Sequence, residues 1–236
     1  MLLLWLAACS DPQPLAAVPD TVPQIEQPEP VAATYADIRA DLDARRKQLA
    51  ALEDRPAARV EAREVVVTAI TRAFIPAWRG TPWTFYGATE TPREGAIACG
   101  YFVSTVLQDA GLRVERVRMA QQASENILKS LVPKSALTRF SNRSAQDVVE
   151  HVAAAGDGLW IVGLDFHVGF LWSHGGQVDM CHSSWVGASG VKCEDALTSE
   201  AFVSAYRVVG ELFADDPLVD AWLDAKPIKT VGNHRG

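Results

Sequence analysis

Apolar residues recur along this chain with two different periods, and the change of period near residue 158 separates a helical part from a strand-rich part. Tyr35, Ile38, Leu42, Leu49 and Leu52 fall near helical spacing with charges between them, which predicts an amphipathic helix over 35–54 that Pro56 interrupts. A second helix is predicted from Ala58 to Trp78, burying Val65, Val66, Ala69, Ile70 and Ala73, with Pro76 breaking its last turn. A loop rich in glycine and proline (Gly80, Pro82, Gly87, Pro92, Gly95) leads into Cys99, after which Phe102, Val103, Val106, Leu107 and Ala110 repeat helically until Gly111. Arg113–Val117 reads as a short strand and Gln121–Leu131 as a helix; Ser144 and Asp147 form a capping box that opens a helix through Ala155. Beyond Gly158 the runs Leu159–Leu164, His167–Trp172, Gln177–His182 and Ala205–Phe213 read as strands, with a turn at Ser173–Gly176. Asp216 is the expected N-cap of a final short helix through Asp224, with Pro217 in its first turn. Helices first and a strand meander afterwards predict an α+β domain, helices packed on an antiparallel sheet, over 58–226, with an extra N-terminal helix over 35–55 and a tail over 227–236.

Composition adds the remaining segments. Six prolines between Ser10 and Ala33 mark residues 9–34 as an extended tether that cannot bury a core. Residues 1–8 are apolar and too few to span a membrane. Leu6-Ala-Ala-Cys9 resembles a bacterial lipobox, although the usual basic residues before the apolar run are missing. That resemblance implies a signal segment, cleavage before Cys9, lipidation of Cys9 and export; Ser10 resembles the sorting pattern of the outer membrane, so the expected place is the periplasmic face of the envelope. The net charge of −7, with no basic cluster longer than Arg45-Arg46-Lys47, argues against a nucleic-acid partner.

Export makes disulfides admissible. Cys181 and Cys193 flank Gly187 and Gly190 in a strand-rich stretch and are expected to pair across a hairpin, which leaves Cys99 as the odd thiol of the domain. No cysteine spacing fits a zinc site, and no metal or cofactor is expected. At a helix start, free backbone N–H groups and the helix dipole favour thiolate, so Cys99 is expected to alkylate well below neutral pH. Of five histidines, His151 lies in a helical pattern, His174 in a turn and His234 in the tail. His167 begins one strand and His182 ends the next, so a hairpin between them brings both rings to one end of the sheet, where a base and its orienting partner belong.

Several of these segments together resemble the NlpC/P60 peptidases. Gly80-Thr-Pro-Trp-Thr-Phe-Tyr-Gly87 is similar to their G-T-P-Y-x-x-G-G, and Ala98-Cys99-Gly100-Tyr101-Phe102-Val103 to their D-C-S-G-F-V. Asp165-Phe-His167-Val-Gly-Phe170 is similar to x-x-H-V-G-I/M, Val178–Ser184 to the later strand ending I-H-A or I-H-S, and Arg118–Gln122 to the stretch R-T-S-x-x-Q. The resemblance spans residues 60–213. It implies a papain-like fold with Cys99 as nucleophile, His167 as base and His182 as third member, acting on peptidoglycan stem peptides through an acyl-enzyme. The chain departs from the family at Ala98, at Gly100 and at Trp83, which stands where the family has a tyrosine near the oxyanion. Trp83, Tyr86 and Tyr101 are the candidate substrate-binding residues, Tyr86 or Tyr101 being possible replacements for that tyrosine. Trp78, Trp83, Phe85 and Tyr86 point to an aromatic pocket. Two other readings stay open: different acyl chemistry on the same three residues, such as deamidation or acyl transfer, and a binding lipoprotein without catalysis.

Overall fold

The computed structural model describes residues 34–232. The signal segment 1–8, Cys9, nearly all of the tether and His234 lie outside the described residues.

The first helix, α1 (Tyr35–Ala50), starts on a capping box in which Thr34 and Asp37 satisfy each other's backbone N–H groups. It buries Leu42 and Leu49 in the main core, and Tyr35 donates to the Asp109 carboxylate at 2.7 Å while accepting from the Trp78 indole at 2.8 Å. The N-terminal helix is therefore part of the domain. Asp54 caps α2 (Arg55–Ala69), so Pro56 sits in its first turn, where a missing N–H costs nothing, and the helix starts ahead of Ala58. Pro76 does not end this helix. A π-turn at Ile70–Phe74, closed by Ile75 N–H to Ile70 C=O, carries the chain into α3 (Ile75–Trp78) with Pro76 inside it.

Next come α4 (Cys99–Asp109), a two-residue strand β1 (Arg113–Val114), α5 (Arg116–Ala120) and α6 (Ser124–Leu131). The expected strand over 113–117 is thus cut short by a helix at Arg116, whose buried guanidinium is tied to Thr105, Glu90 and the carbonyls of Ala88 and Thr89. Strand β2 (Thr138–Ser141) is followed by α7 (Ala145–Ala154), opened by the Ser144–Asp147 capping box, and then by β3 (Gly158–Leu164), β4 (Val168–His174), β5 (Gln177–Ser184), β6 (Gly190–Asp195) and β7 (Tyr206–Glu211). Only Gly175 and Gly176, at φ +55° and +81°, form the β4–β5 turn, because His174 and Gln177 still pair. The final helix α8 (Asp216–Leu223) has Asp215 at its N-cap, one residue before the expected Asp216. Asp216 instead pairs with Arg59 and Arg63 on α2. The chain then returns as β8 (Pro227–Ile228), parallel to β1, so the fold continues past the expected boundary at Lys226.

The six-stranded sheet has order β2-β7-β3-β4-β5-β6 and is antiparallel throughout. This is an α+β domain. On one face Leu159, Ile161, Val168, Phe170, Cys181 and Val208 join the core made with α1, α2 and α4. On the other, Trp160, Val162, Leu171, Met180 and Val209 pack on Val148 and Val152 of α7. Both faces are covered, which is why β3 reads as an unbroken apolar run.

Candidate active site

Cys99 is the first residue of α4. The loop before it is fastened to the sheet rather than left free: Gly80 N–H donates to Val191 C=O, Val191 N–H to Thr81 C=O, and the Ser183 hydroxyl to Ile97 C=O at 2.7 Å. Ala98 has no side chain able to cap the helix. The free N–H groups of Cys99 and Gly100, together with Val168 N–H from the start of β4, are directed at the thiol. Gly100 allows the helix start to sit against α5, since a Cβ there would lie 2.2 Å from Ala120 C=O.

His167 immediately precedes β4, and Cys99, His167 and Val168 line one cleft of about 170 Å³. The hairpin brings His167 and His182 together: His167 Nε2 lies 2.8 Å from His182 Nδ1, and both rings are buried. Gly169 makes room for this, because a Cβ there would stand 3.0 Å from the His182 Cβ. Beyond the pair lies a residue that the sequence did not single out. Glu194 Oε1 is 3.1 Å from His182 Nε2, and the carboxylate also accepts from Ser199 Oγ at 2.6 Å and Lys192 Nζ at 3.0 Å.

These contacts fix where the protons are. Partial burial pushes the Glu194 carboxyl up, but its bonds from Ser199, Lys192 and His182 outweigh that and hold it below its ordinary value, so it is a carboxylate. A carboxylate only accepts, hence His182 carries its proton on Nε2 and offers the Nδ1 lone pair to His167. His167 must then carry its proton on Nε2. Its Nδ1 is left as a bare lone pair, and that atom is buried with no hydrogen-bond partner. The relay thus prepares a base on the ring that shares a cleft with the thiol.

Cys181 and Cys193, the residues immediately before His182 and Glu194, are directly opposite in the β5–β6 ladder and joined by a disulfide. Their pairing sets Lys192 across from His182 and Glu194 two residues along on the same face. That register was the signal from which Glu194 could have been found.

One electrostatic expectation is reversed. Burial pushes the Cys99 thiol above its ordinary value, and the three backbone N–H groups recover only part of the cost. Burial likewise pulls His167 down to about 3 and His182 to about 4. The resting pair is therefore thiol and neutral imidazole, and alkylation of Cys99 is expected to accelerate as pH rises past the ordinary thiol range rather than to be fast in acid.

The depressed histidines also predict acid lability. Unfolded histidine binds its proton near pH 6.5, whereas the folded rings stay neutral far lower, so the unfolded state binds more protons between the two values. Their contribution is complete above pH 6.5 and is lost as pH falls toward 3. By pH 5 the loss is on the order of 2 kcal/mol for each ring. Urea unfolding at pH 7 and pH 5 measures it, and a His167→Gln/His182→Gln variant should show a much smaller difference.

If Cys99 and His167 act as the nucleophile and base that the sequence resemblance implies, Glu194→Gln is expected to lower kcat/KM by roughly tenfold to a hundredfold, because the amide can still accept from His182 but supplies no charge to favour an imidazolium. Steady-state kinetics with KM nearly constant would bear this out; an unchanged kcat would remove Glu194 from the relay.

Of the candidate binding residues, Trp83, Tyr86 and Tyr101 line a larger cleft of about 870 Å³ that also reaches Cys99. Trp83 packs on Trp185 with ring centroids 5.1 Å apart, and Trp185 in turn meets His167 edge-on. Tyr86 stands at the rim, and the Tyr101 hydroxyl accepts from Gln121. Phe85 lines the same cleft. Trp78 does not: it is fully buried under Tyr35 of α1, so it belongs to the core and not to the pocket. Phe166 and Trp185, both lining residues, were missed because each follows or precedes a strand in what reads as ordinary loop. Of the discounted histidines, His174 pairs with Asp179 and stacks on Trp172, and His151 packs on Phe140 and Trp160. No family model, no curated protein and no solved structure matches this chain.

Proposed function

We propose that this protein is a cysteine hydrolase on a papain-like fold of the NlpC/P60 kind, exported and lipid-anchored at Cys9, in which Cys99 attacks an acyl carbonyl. The observation that carries this reading is the bare, buried Nδ1 of His167, held in that tautomer by His182 and Glu194, in the cleft that Cys99 lines. Cys99 Sγ adds to the carbonyl carbon as its proton passes to His167 Nδ1. The bond to the leaving nitrogen or oxygen breaks, and that atom takes the proton from His167. Water then gives a proton to His167 Nδ1 while its hydroxyl adds to the thioester; the C–S bond breaks and sulfur recovers the proton. The N–H groups at the start of α4 favour charge on the carbonyl oxygen. His182 positions the base through Nε2 of His167 and spreads the imidazolium charge toward Glu194.

Peptidoglycan stem peptides are the substrate that the resemblance implies. The test is to incubate the full chain, beside Cys99→Ala, with purified sacculi and muropeptides and to identify released fragments by mass spectrometry. Cleavage that disappears in the variant supports the nucleophile and the wall substrate together. A second substrate class has its own support in the lining of the large cleft, which carries no charged side chain.

A further inference from the structure

Two clefts diverge from Cys99, and they differ in chemistry. The smaller includes His167 with Ser124, Asp165 and Ile127, and shares Gln122 and Phe166 with the larger. The larger, of about 870 Å³, carries Trp83, Phe85, Tyr86, Tyr101, Phe166 and Trp185 beside the uncharged Gln121 and Gln122, and His167 itself is not part of its wall. A carboxylate-bearing peptide would need cations on this wall, and no lysine or arginine is there. The Arg116 guanidinium lies over the Tyr101 ring but spends its donors on Glu90, Thr105 and two backbone carbonyls.

The aromatic rim is also unusually open. Phe85 is 73% exposed, Tyr86 89% and Phe166 90%. Phe166 is held in that position: Asp165 beside it accepts from Ser204 Oγ and from the N–H groups of Ala205 and Tyr206, and Leu164 N–H donates to His167 C=O across it. A contiguous apolar rim of this kind around a pocket marks a surface that meets an apolar ligand.

We infer that the substrate is a long-chain acyl ester or amide whose hydrocarbon chain lies along the aromatic cleft with its carbonyl at Cys99. The inference rests on the proposed thiol chemistry and names the substrate of that site. The direction of the chain follows from the base. His167 must hand its proton to the leaving group, so the leaving group lies in the smaller cleft beside His167, Ser124 and Asp165, and the acyl chain takes the other. The chemistry is the hydrolysis set out above: an acyl thioester forms on Sγ, the alcohol or amine departs with the proton, and water releases the fatty acid.

The full chain, Cys99→Ala and Phe85→Ser/Phe166→Ser are assayed with p-nitrophenyl acetate and p-nitrophenyl octanoate, which share one leaving group, and with muropeptides. Since each buried methylene is worth up to about fourfold, octanoate is expected to exceed acetate in kcat/KM by roughly a hundredfold or more. The paired serine variant, altered at exposed positions, should lower that ratio at least tenfold. Intact mass should show octanoyl on Cys99 in the acid-quenched enzyme. Equal rates on the two esters, both lost in Cys99→Ala, would overturn the inference and leave the hydrolase. Cleavage of muropeptides with no preference for octanoate would overturn it in favour of the cell wall. No acyl group on Cys99 from either ester, and no cleavage of muropeptides, would remove the hydrolase and the inference together.

Discussion

Replacing Cys99 with alanine should lower kcat/KM on any substrate of this protein by about 10⁴-fold or more while leaving the fold intact. The size follows from the role: without Sγ no thioester can form, and the prepared lone pair of His167 has nothing to activate except water. Folding should tolerate the change because Cys99 is only partly buried and lines two clefts, so removing Sγ widens space that is already open rather than leaving a sealed cavity in the core. Steady-state kinetics and a melting curve on the same preparation check both halves. Full activity in the alanine variant would place the chemistry elsewhere.

The largest effect on stability is expected one residue later. In Gly100→Ala the added Cβ would lie 2.2 Å from Ala120 C=O and 3.0 Å from its carbonyl carbon, both backbone atoms with no rotamer to change. Either α4 or α5 must move. Overpacking of this kind costs about 3 kcal/mol or more, and for a domain of this size that corresponds to a fall in Tm of roughly 6–12 °C. Because the displaced backbone carries the Cys99 and Gly100 N–H groups, activity should fall with stability even below the transition. Thermal unfolding and kinetics at 20 °C measure the two effects, and a variant as stable as the parent would mean that this contact is absent.

How much of this was legible beforehand depended on what each residue had to do. The helix that opens at Cys99, the Ser144 cap and the β4–β5 hairpin each depend on a local signal: a helical repeat stopped by glycine, an N-cap three residues from its partner, a pair of glycines at positive φ. Strand β2 was missed because Thr138, Arg139, Phe140 and Ser141 pair on one side only, with β7 at the sheet edge, so they carry little of the apolar content that marks β3. Pro76 was read as a breaker, but a π-turn upstream absorbs it, and such a turn has no simple pattern in sequence. Trp78 looked like a pocket aromatic because it stands next to the glycine-rich loop; its partner Tyr35 is 43 residues away.

At the site, His167 and His182 could be brought together by hairpin logic, whereas Glu194 required the strand register that the disulfide pair supplies. The electrostatics could not be read at all. A helix start predicts a stabilised thiolate, but the desolvation of Cys99 depends on how it packs against the main core, and here it wins over three N–H donors.

In the proposed chemistry, His167 takes the proton from Cys99 as the sulfur is acylated. The most direct test of this step is the pre-steady-state acetylation of Cys99 by p-nitrophenyl acetate, followed by acid quench and intact mass, in the parent and in His167→Gln. One acetyl group per chain, on Cys99, is expected, forming at least about a hundredfold faster in the parent at pH 7.5. Equal rates in the two proteins, or acetyl groups only on other residues, would contradict it.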